Sequence, residues 1–242
     1  MTAPRIVWLT AADPPESFPP AGQALTEPDG LLAAGGDLNE ERILYAYRHG
    51  IFPWYDEGQP ILWWSPDPRC VIHTKNFHLP RRARRSLRTA GFTVGFNRRF
   101  ADVMQACAAP RPGQHGTWIT DDMLRAYTRL QTEGWAHSVE IMRDGRLVGG
   151  LYGLAIGSVF FGESMFSRES NASKAALLVA CNLLAEAGSD LLDCQVQSQH
   201  LSNLGAEMMP RDEFLAALQS RCNPPTRFEA WPDDELPVGN FF

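Results

Sequence analysis

Two carboxylates and an amide close apolar runs in this chain, and they are its most chemically pointed residues. In LLDCQVQ (191 to 197), Asp193 and Gln195 are two apart, so a strand turns both to one face while Leu192, Cys194 and Val196 take the other. Glu163 ends the apolar part of VFFGESMFS (159 to 167). Polar groups facing inward from such strands need partners, because burying one alone costs roughly 2–7 kcal/mol. Two readings are open. In one, Asp193 caps a neighbouring helix and Gln195 satisfies backbone groups; in the other, two carboxylates from neighbouring strands and the amide hold a cationic ligand.

Other chemistries have little support. The six histidines, His49, His73, His78, His115, His137 and His200, show no ligand spacing, so no metal is expected, and His137 at a strand start reads as structural. Neither a Gly-x-Ser-x-Gly elbow nor a Walker loop occurs. Five widely spaced cysteines without a Cys-x-x-Cys pair fit a reduced cytoplasm, and residues 1 to 15 lack the basic start and apolar core of a secretory signal. The longest uncharged apolar stretch, Leu147 to Gly162, is broken by five glycines and a serine, so it reads as buried strands and not as a membrane span.

Period and punctuation give the elements that must position these groups. Helices are predicted over Asn39 to His49 with Gly50 as the stop, Pro80 to Thr89, Phe100 to Cys107, Asp121 to Glu133 behind Thr120 as N-cap, Asn171 to Ala187 ended by Gly188, and Arg211 to Arg221. Strands His137 to Arg143 and Arg146 to Ala155 form a hairpin about Asp144-Gly145, a pair suited to the positive φ angles of a type I′ turn. Further strands are predicted over Ser158 to Glu163 and Asp190 to Val196, and the acidic tail after Cys222 wraps the surface or frays. This is an α+β pattern: a mixed, mainly antiparallel sheet covered by helices, over residues 69 to 242, preceded by a small irregular N-terminal domain, residues 1 to 68, rich in Pro, Gly and Trp. The same order of elements occurs in GCN5-related N-acetyltransferases. A coenzyme A enzyme would need a Gly-rich loop opening the long helix, and SRESNASK (167 to 174) has no glycine. An acyl-CoA donor is therefore disfavoured and a different activated acyl group is left open.

Charge suggests which one. From Arg69 to Arg99 there are nine Lys or Arg and no Asp or Glu, in a chain of net charge −6, so the remainder carries −15. Arg81, Arg84, Arg85 and Arg88 share one helix face, backed by Arg82. Such a face is either a solvated surface or a polyanion site. Contacts from it to phosphates give affinity that falls steeply with salt and reads little sequence. Trp54, Trp63, Trp64 and Trp118 are candidates to stack on exposed bases, although at least two of them are expected in the core. An acyl group attached to a nucleic acid is an aminoacyl-tRNA.

Several longer motifs point the same way: EPDGLLAAGGDL (27 to 38), AYRHGIFPWY (46 to 55), ILWWSPDPR (61 to 69), GTWIT (116 to 120), LVGGLYG (147 to 153), FFGESMFS (160 to 167), NASK (171 to 174) and LLDCQ (191 to 195). Together, and in this order, they closely resemble the bacterial leucyl/phenylalanyl-tRNA-protein transferases. The resemblance implies a two-domain protein whose larger part is acetyltransferase-like. It implies transfer of leucine or phenylalanine, less readily methionine, from tRNA to an N-terminal Arg or Lys, a degradation signal of the N-end rule pathway. A cytoplasmic monomer without cofactor is expected. It also implies roles: Trp54 and Trp118 for the terminal adenosine; Glu163, Asp193 and Gln195 for the acceptor and the transfer; Arg81, Arg82, Arg84, Arg85 and Arg88 on the tRNA side; and Leu151, Phe160, Met165, Leu192 and Ala180 around the aminoacyl side chain. Ala180 stands where a larger aromatic is expected and Leu151 where Met is expected, so the balance between Leu and Phe stays open.

Such a reaction asks little of a base. The ester is already activated, and an α-amine of pKa about 7.7–8.0 is substantially neutral at physiological pH. Positioning can supply roughly 7–11 kcal/mol. Asp193 and Glu163 are expected to hold the cationic acceptor and Gln195 to orient amine or ester, with the proton acceptor open. Two other readings remain: a peptidoglycan-type aminoacyltransferase, against which the Trp-rich N-terminal motifs speak, and a non-catalytic RNA-binding protein.

Overall fold

The computed structural model describes residues 6–110 and 117–242; His115 and Gly116, named above, lie outside them. Strands β1 (Val7–Leu9) and β2 (Leu31–Gly35) precede helix α1 (Glu40–Arg48), after which β3 (Phe52–Pro53) and β4 (Leu62–Trp64) complete a four-stranded sheet in the order β1-β2-β4-β3. The N-terminal part thus contains a sheet that its Pro and Gly content hid. Helix α1 begins where predicted, because the Asn39 side chain accepts the Arg42 backbone N–H at 2.7 Å.

The second sheet is built from β5 (Arg69–His73), β6 (Thr93–Phe96), β7 (Ala136–Arg143), β8 (Arg146–Ile156), β9 (Val159–Ser167), β10 (Leu191–Gln195), β11 (Glu207–Met209) and β12 (Leu236–Pro237). Its order is β11-β5-β10-β9-β8-β7-β6-β12, antiparallel throughout except where β9 meets β10. The hairpin of β7 and β8 turns at Asp144 (φ 50°) and Gly145 (φ 72°), the type I′ signature expected of Asp-Gly. Strand β9 extends to Ser167, past the predicted end at Glu163, because it pairs with β8 as far as Gly149 opposite Ser167.

Helices cover both faces. Helix α2 spans Arg81–Arg88, α3 Phe100–Ala108, α4 Asp121–Thr132, α5 Ala172–Glu186, α6 Gln199–Ser202 and α7 Arg211–Arg221. One core joins α1, α3, α4 and the N-terminal sheet to Tyr152, Leu154, Phe161 and Leu191 of the large sheet. On the other face α5, Leu87 of α2 and the tail residues Phe228 and Val238 pack on Leu151, Ala155, Phe160 and Leu192. Alternation along the strands makes the division: Phe160 and Phe161, or Leu191 and Leu192, serve opposite cores. The acidic tail wraps and does not fray. Strand β12 adds an edge to β6, and the Phe241 carbonyl accepts Asn182 Nδ2 of α5 at 2.6 Å.

Candidate active site

Strands β9 and β10 are hydrogen-bonded only from Val159 opposite Leu191 to Phe161 opposite Asp193. Beyond that point β9 stays with β8, while β10 bulges against β5 between Asp193 and Gln195. Gln195 sits in the left-handed region at φ 58°, which costs a residue with a Cβ on the order of 1–3 kcal/mol. The bulge overturns the strict alternation expected for this strand: Leu192, Cys194 and Gln195 all reach a cavity, and Asp193 does not.

Two cavities open where the strands part. The first, about 110 Å³, lies on the α5 side and is lined by Leu151, Phe160, Met165, Leu177, Leu192 and Leu201 together with Gly162, Glu163, Ser164, Cys194 and Gln195. Four of the five residues expected around an apolar side chain are present. The fifth, Ala180, is fully buried but forms no part of the wall; Leu177, nearly one helical turn earlier on α5, takes that place. The second cavity, about 170 Å³, is lined by Phe52, Pro53, Trp54, Trp118, Val196, Glu163, Cys194 and Gln195. Trp54 is 42% exposed, which leaves its ring free to stack, and its carbonyl accepts Trp64 Nε1 at 2.6 Å. The Tyr55 and Thr120 hydroxyls, 3.2 Å apart, tie the segment carrying Trp54 to that carrying Trp118. Trp63, by contrast, is fully buried and donates to the Gly35 carbonyl at 2.9 Å. Glu163, Cys194 and Gln195 belong to both cavities and mark their junction.

Each polar group at the junction is held differently. Asp193 is fully buried; its carboxylate takes Arg69 Nε at 2.8 Å and Nη2 at 2.7 Å, and also the Gln195 backbone N–H at 2.9 Å. It lies behind the wall, where it fixes the strained backbone of Gln195. The Gln195 side-chain nitrogen is buried and has no hydrogen-bond partner among the described residues. Glu163 accepts hydrogen bonds from Tyr47 at 2.6 Å and Tyr127 at 3.2 Å. Enclosure of its carboxyl pushes the pKa up to about 7; the two phenols and Arg69 pull it down, while the Asp193 charge adds to the rise. Tyr47 and Tyr127 were not foreseen, although Tyr47 stands inside the AYRHGIFPWY motif.

Elsewhere, Arg81, Arg82, Arg84, Arg85 and Arg88 are all exposed on α2, and no carboxylate pairs with them among the described residues. The Phe242 ring lies under the guanidiniums of Arg84 and Arg88, at 5.9 and 5.6 Å. His137 is buried 5.1 Å from the Trp231 ring, and burial holds it neutral with a pKa of about 4, as its structural reading requires. None of the five cysteines is in a disulfide. No helix is long and apolar enough to cross a membrane among the described residues.

Comparison with known proteins gives the family. Residues 71–219 match the family described as leucyl/phenylalanyl-tRNA protein transferase, and residues 36–67 match the N-terminal domain of the same family. A leucyl/phenylalanyl-tRNA–protein transferase of Pseudomonas aeruginosa (strain LESB58) is 54% identical over 222 residues, covering 91% of this chain and 97% of that protein. One from Xylella fastidiosa (strain M23) is 56% identical over 213 residues, 88% of each. Among solved structures, a GCN5-related N-acetyltransferase from Kribbella flavida is similar with a TM-score of 0.32 and 12% identity, over 69% of this chain and 59% of that one. By the family match and the identity of these relatives, the chain belongs to the leucyl/phenylalanyl-tRNA protein transferase family.

Proposed function

We propose that this enzyme transfers leucine or phenylalanine, and less readily methionine, from aminoacyl-tRNA to the N-terminal Arg or Lys of a protein, marking it for N-end rule degradation. The observation that carries the reading is the junction of two unlike cavities, one apolar and one flanked by tryptophans, at Glu163, Cys194 and Gln195. An aminoacyl-adenosine has the same layout: a side chain, an ester and a base. With the side chain against Leu151, Phe160, Met165, Leu177 and Leu192, and the adenine between Trp54 and Trp118, the ester lies beside Gln195 and Glu163.

The Gln195 amide nitrogen, buried and unpaired, donates to the ester carbonyl as negative charge develops on it. Asp193 acts through the Gln195 backbone and not on substrate, because Arg69 occupies its carboxylate. The Glu163 carboxylate attracts the cationic acceptor. The exposed arginines of α2 hold tRNA phosphates. The catalytic part, residues 69 to 242, and the N-terminal part, residues 1 to 68, meet at this site, and the enzyme works as a cytoplasmic monomer.

Radiolabelled Leu-tRNA with a peptide beginning in Arg, against one beginning in Ser, tests the activity; label on the Arg peptide alone is expected, and label on neither removes the assignment. Comparing Leu, Phe, Met and Ile tests the cavity. A pocket shaped for unbranched Cβ atoms rejects Ile by about 1–3 kcal/mol, so Ile transferred as fast as Leu would sink it.

A further inference from the structure

Two phenols and a carboxyl meet behind the junction of the cavities. Tyr47 Oη is 2.6 Å from Glu163 Oε1, Tyr127 Oη is 3.2 Å from Oε2, and the two phenol oxygens are 2.6 Å apart. Both tyrosines are fully buried, so no exposed hydroxyl is free to turn to water. Three oxygen–oxygen contacts need three protons to be hydrogen bonds. An ionised Glu163 leaves only the two phenol protons, and one contact then sets lone pair against lone pair. A single added proton on the carboxyl closes the ring: the carboxyl donates through one oxygen and accepts through the other, and each phenol donates once and accepts once. The cluster is therefore one proton short, at a residue that also lines the cavities where the ester is read to lie.

The transfer moves one proton at that place. The acceptor nitrogen forms a bond to the ester carbonyl carbon, the carbon–oxygen bond to the ribose breaks, nitrogen loses a proton, and the leaving ribose oxygen gains one. We propose that Glu163, positioned by Tyr47 and Tyr127, takes the proton from the attacking α-amine and returns it to the leaving ribose oxygen. This rests on the transfer reading above. No co-reactant is needed, since the proton count is unchanged at the end of each cycle.

The groups facing Glu163 agree with a carboxyl that changes hands with a proton near neutrality. Tyr47 of α1 and Tyr127 of α4 donate to it, Tyr152 of β8 adds a third buried phenol, the Asp193 charge of β10 opposes its ionisation, and Arg69 of β5 favours it. The Cys194 thiol at the same wall has its pKa pushed up by Cys70 and by burial, and it stays protonated. Burial is the largest influence on Glu163 and sets its pKa at about 7.

The test is the pH dependence of kcat/KM for an Arg-peptide acceptor, in wild type, Glu163→Gln, Tyr47→Phe and Tyr127→Phe, with thermal melting to confirm that each folds. Glu163→Gln keeps size and polarity and is expected to lower kcat by about 10²–10⁴-fold. In this variant the acidic limb keeps only the titration of the amine itself. Each Tyr→Phe removes one donor to the ionised carboxyl, so the midpoint of the Glu163 limb moves up by roughly one pH unit while KM for aminoacyl-tRNA is unchanged. A purely structural tyrosine would leave that midpoint in place. Glu163→Gln transferring label as fast as wild type would overturn the assignment of Glu163 and leave the transferase reading intact. Tyr→Phe limbs that do not move would overturn the role of the tyrosines. Wild type that transfers no label would overturn the transfer reading and this proposal with it.

Discussion

Replacing Arg69 by Met decides whether Asp193 works on substrate or on the backbone of Gln195. The Arg69 guanidinium is enclosed, with its carbon 4.7 Å from the Phe52 ring centre and 4.8 Å from that of Phe214. Two of its nitrogens hold the Asp193 carboxylate, and Nη1 donates to the Gly50 carbonyl at 2.9 Å. Met keeps the apolar contacts and removes the charge, which leaves Asp193 enclosed without its guanidinium partner. Breaking a buried pair from one side costs about 3–5 kcal/mol. For a domain of this size each kcal/mol moves the melting temperature by about 2–4 °C, so a fall of roughly 6–20 °C is expected. In the double variant Arg69→Met with Asp193→Leu neither charge of the pair remains, and most of the stability returns. Transfer does not return, because the Gln195 N–H is left without an acceptor, and misplacing a group by about 1 Å can cost on the order of 10²-fold. Urea unfolding and label transfer measured on both variants are the assay. A loss below about 1 kcal/mol in Arg69→Met, or a double variant as active as wild type, would refute the account of Asp193 as the residue that sets Gln195.

Other outcomes follow from the same geometry. Changing Arg81, Arg84, Arg85 and Arg88 to Ala should make the logarithmic salt dependence of aminoacyl-tRNA binding shallower by about 0.7–0.9 for each phosphate left without its arginine, and an unchanged slope would mean that α2 is only a solvated face. Trp54→Ala and Trp118→Ala should each weaken aminoacyl-tRNA by about 1–3 kcal/mol, read as a raised KM with little change in kcat; a reversed pattern would count against stacking. Glu163 also links folding to pH. Its folded pKa of about 7 lies above the unfolded 4.5, so the native state binds the extra proton between those values, and stability falls as pH rises through that window, by on the order of 3 kcal/mol in all. Glu163→Gln should flatten this part of a stability–pH curve, and a wild-type curve that rises between pH 4.5 and 7 in step with the variant would contradict the raised pKa.

Much of the scaffold was legible in the chain because its causes are local. Asn39 and Thr120 each place a side-chain oxygen on the backbone N–H three residues ahead, at Arg42 and Met123, and a helix starts there wherever the rest of the chain goes. Asp144-Gly145 turns for the same kind of reason. Trp54, Trp118, Glu163, Gln195 and four of the five apolar pocket residues do stand at the two cavities, since the motifs that carry them are read intact. Short strands escaped notice. Phe52–Pro53, Leu62–Trp64 and Glu207–Met209 are too brief to show a period, and only neighbouring strands define them.

By itself the sequence determined the α+β order of elements, the arginine face of α2, and which side chains had chemistry to offer. Tertiary structure decided what that chemistry is attached to. Asp193 meets Arg69 across 124 positions, and Glu163 meets Tyr47 across 116 and Tyr127 across 36. The period of a strand says which way a side chain points only while the pleat is regular, and the bulge at Asp193 and Gln195 breaks it at the one place where the strands part. Local propensity depends on a few neighbours along the chain. Whether a carboxylate is neutralised by a guanidinium or left one proton short between two phenols depends on packing among distant segments, and only the folded chain sets that.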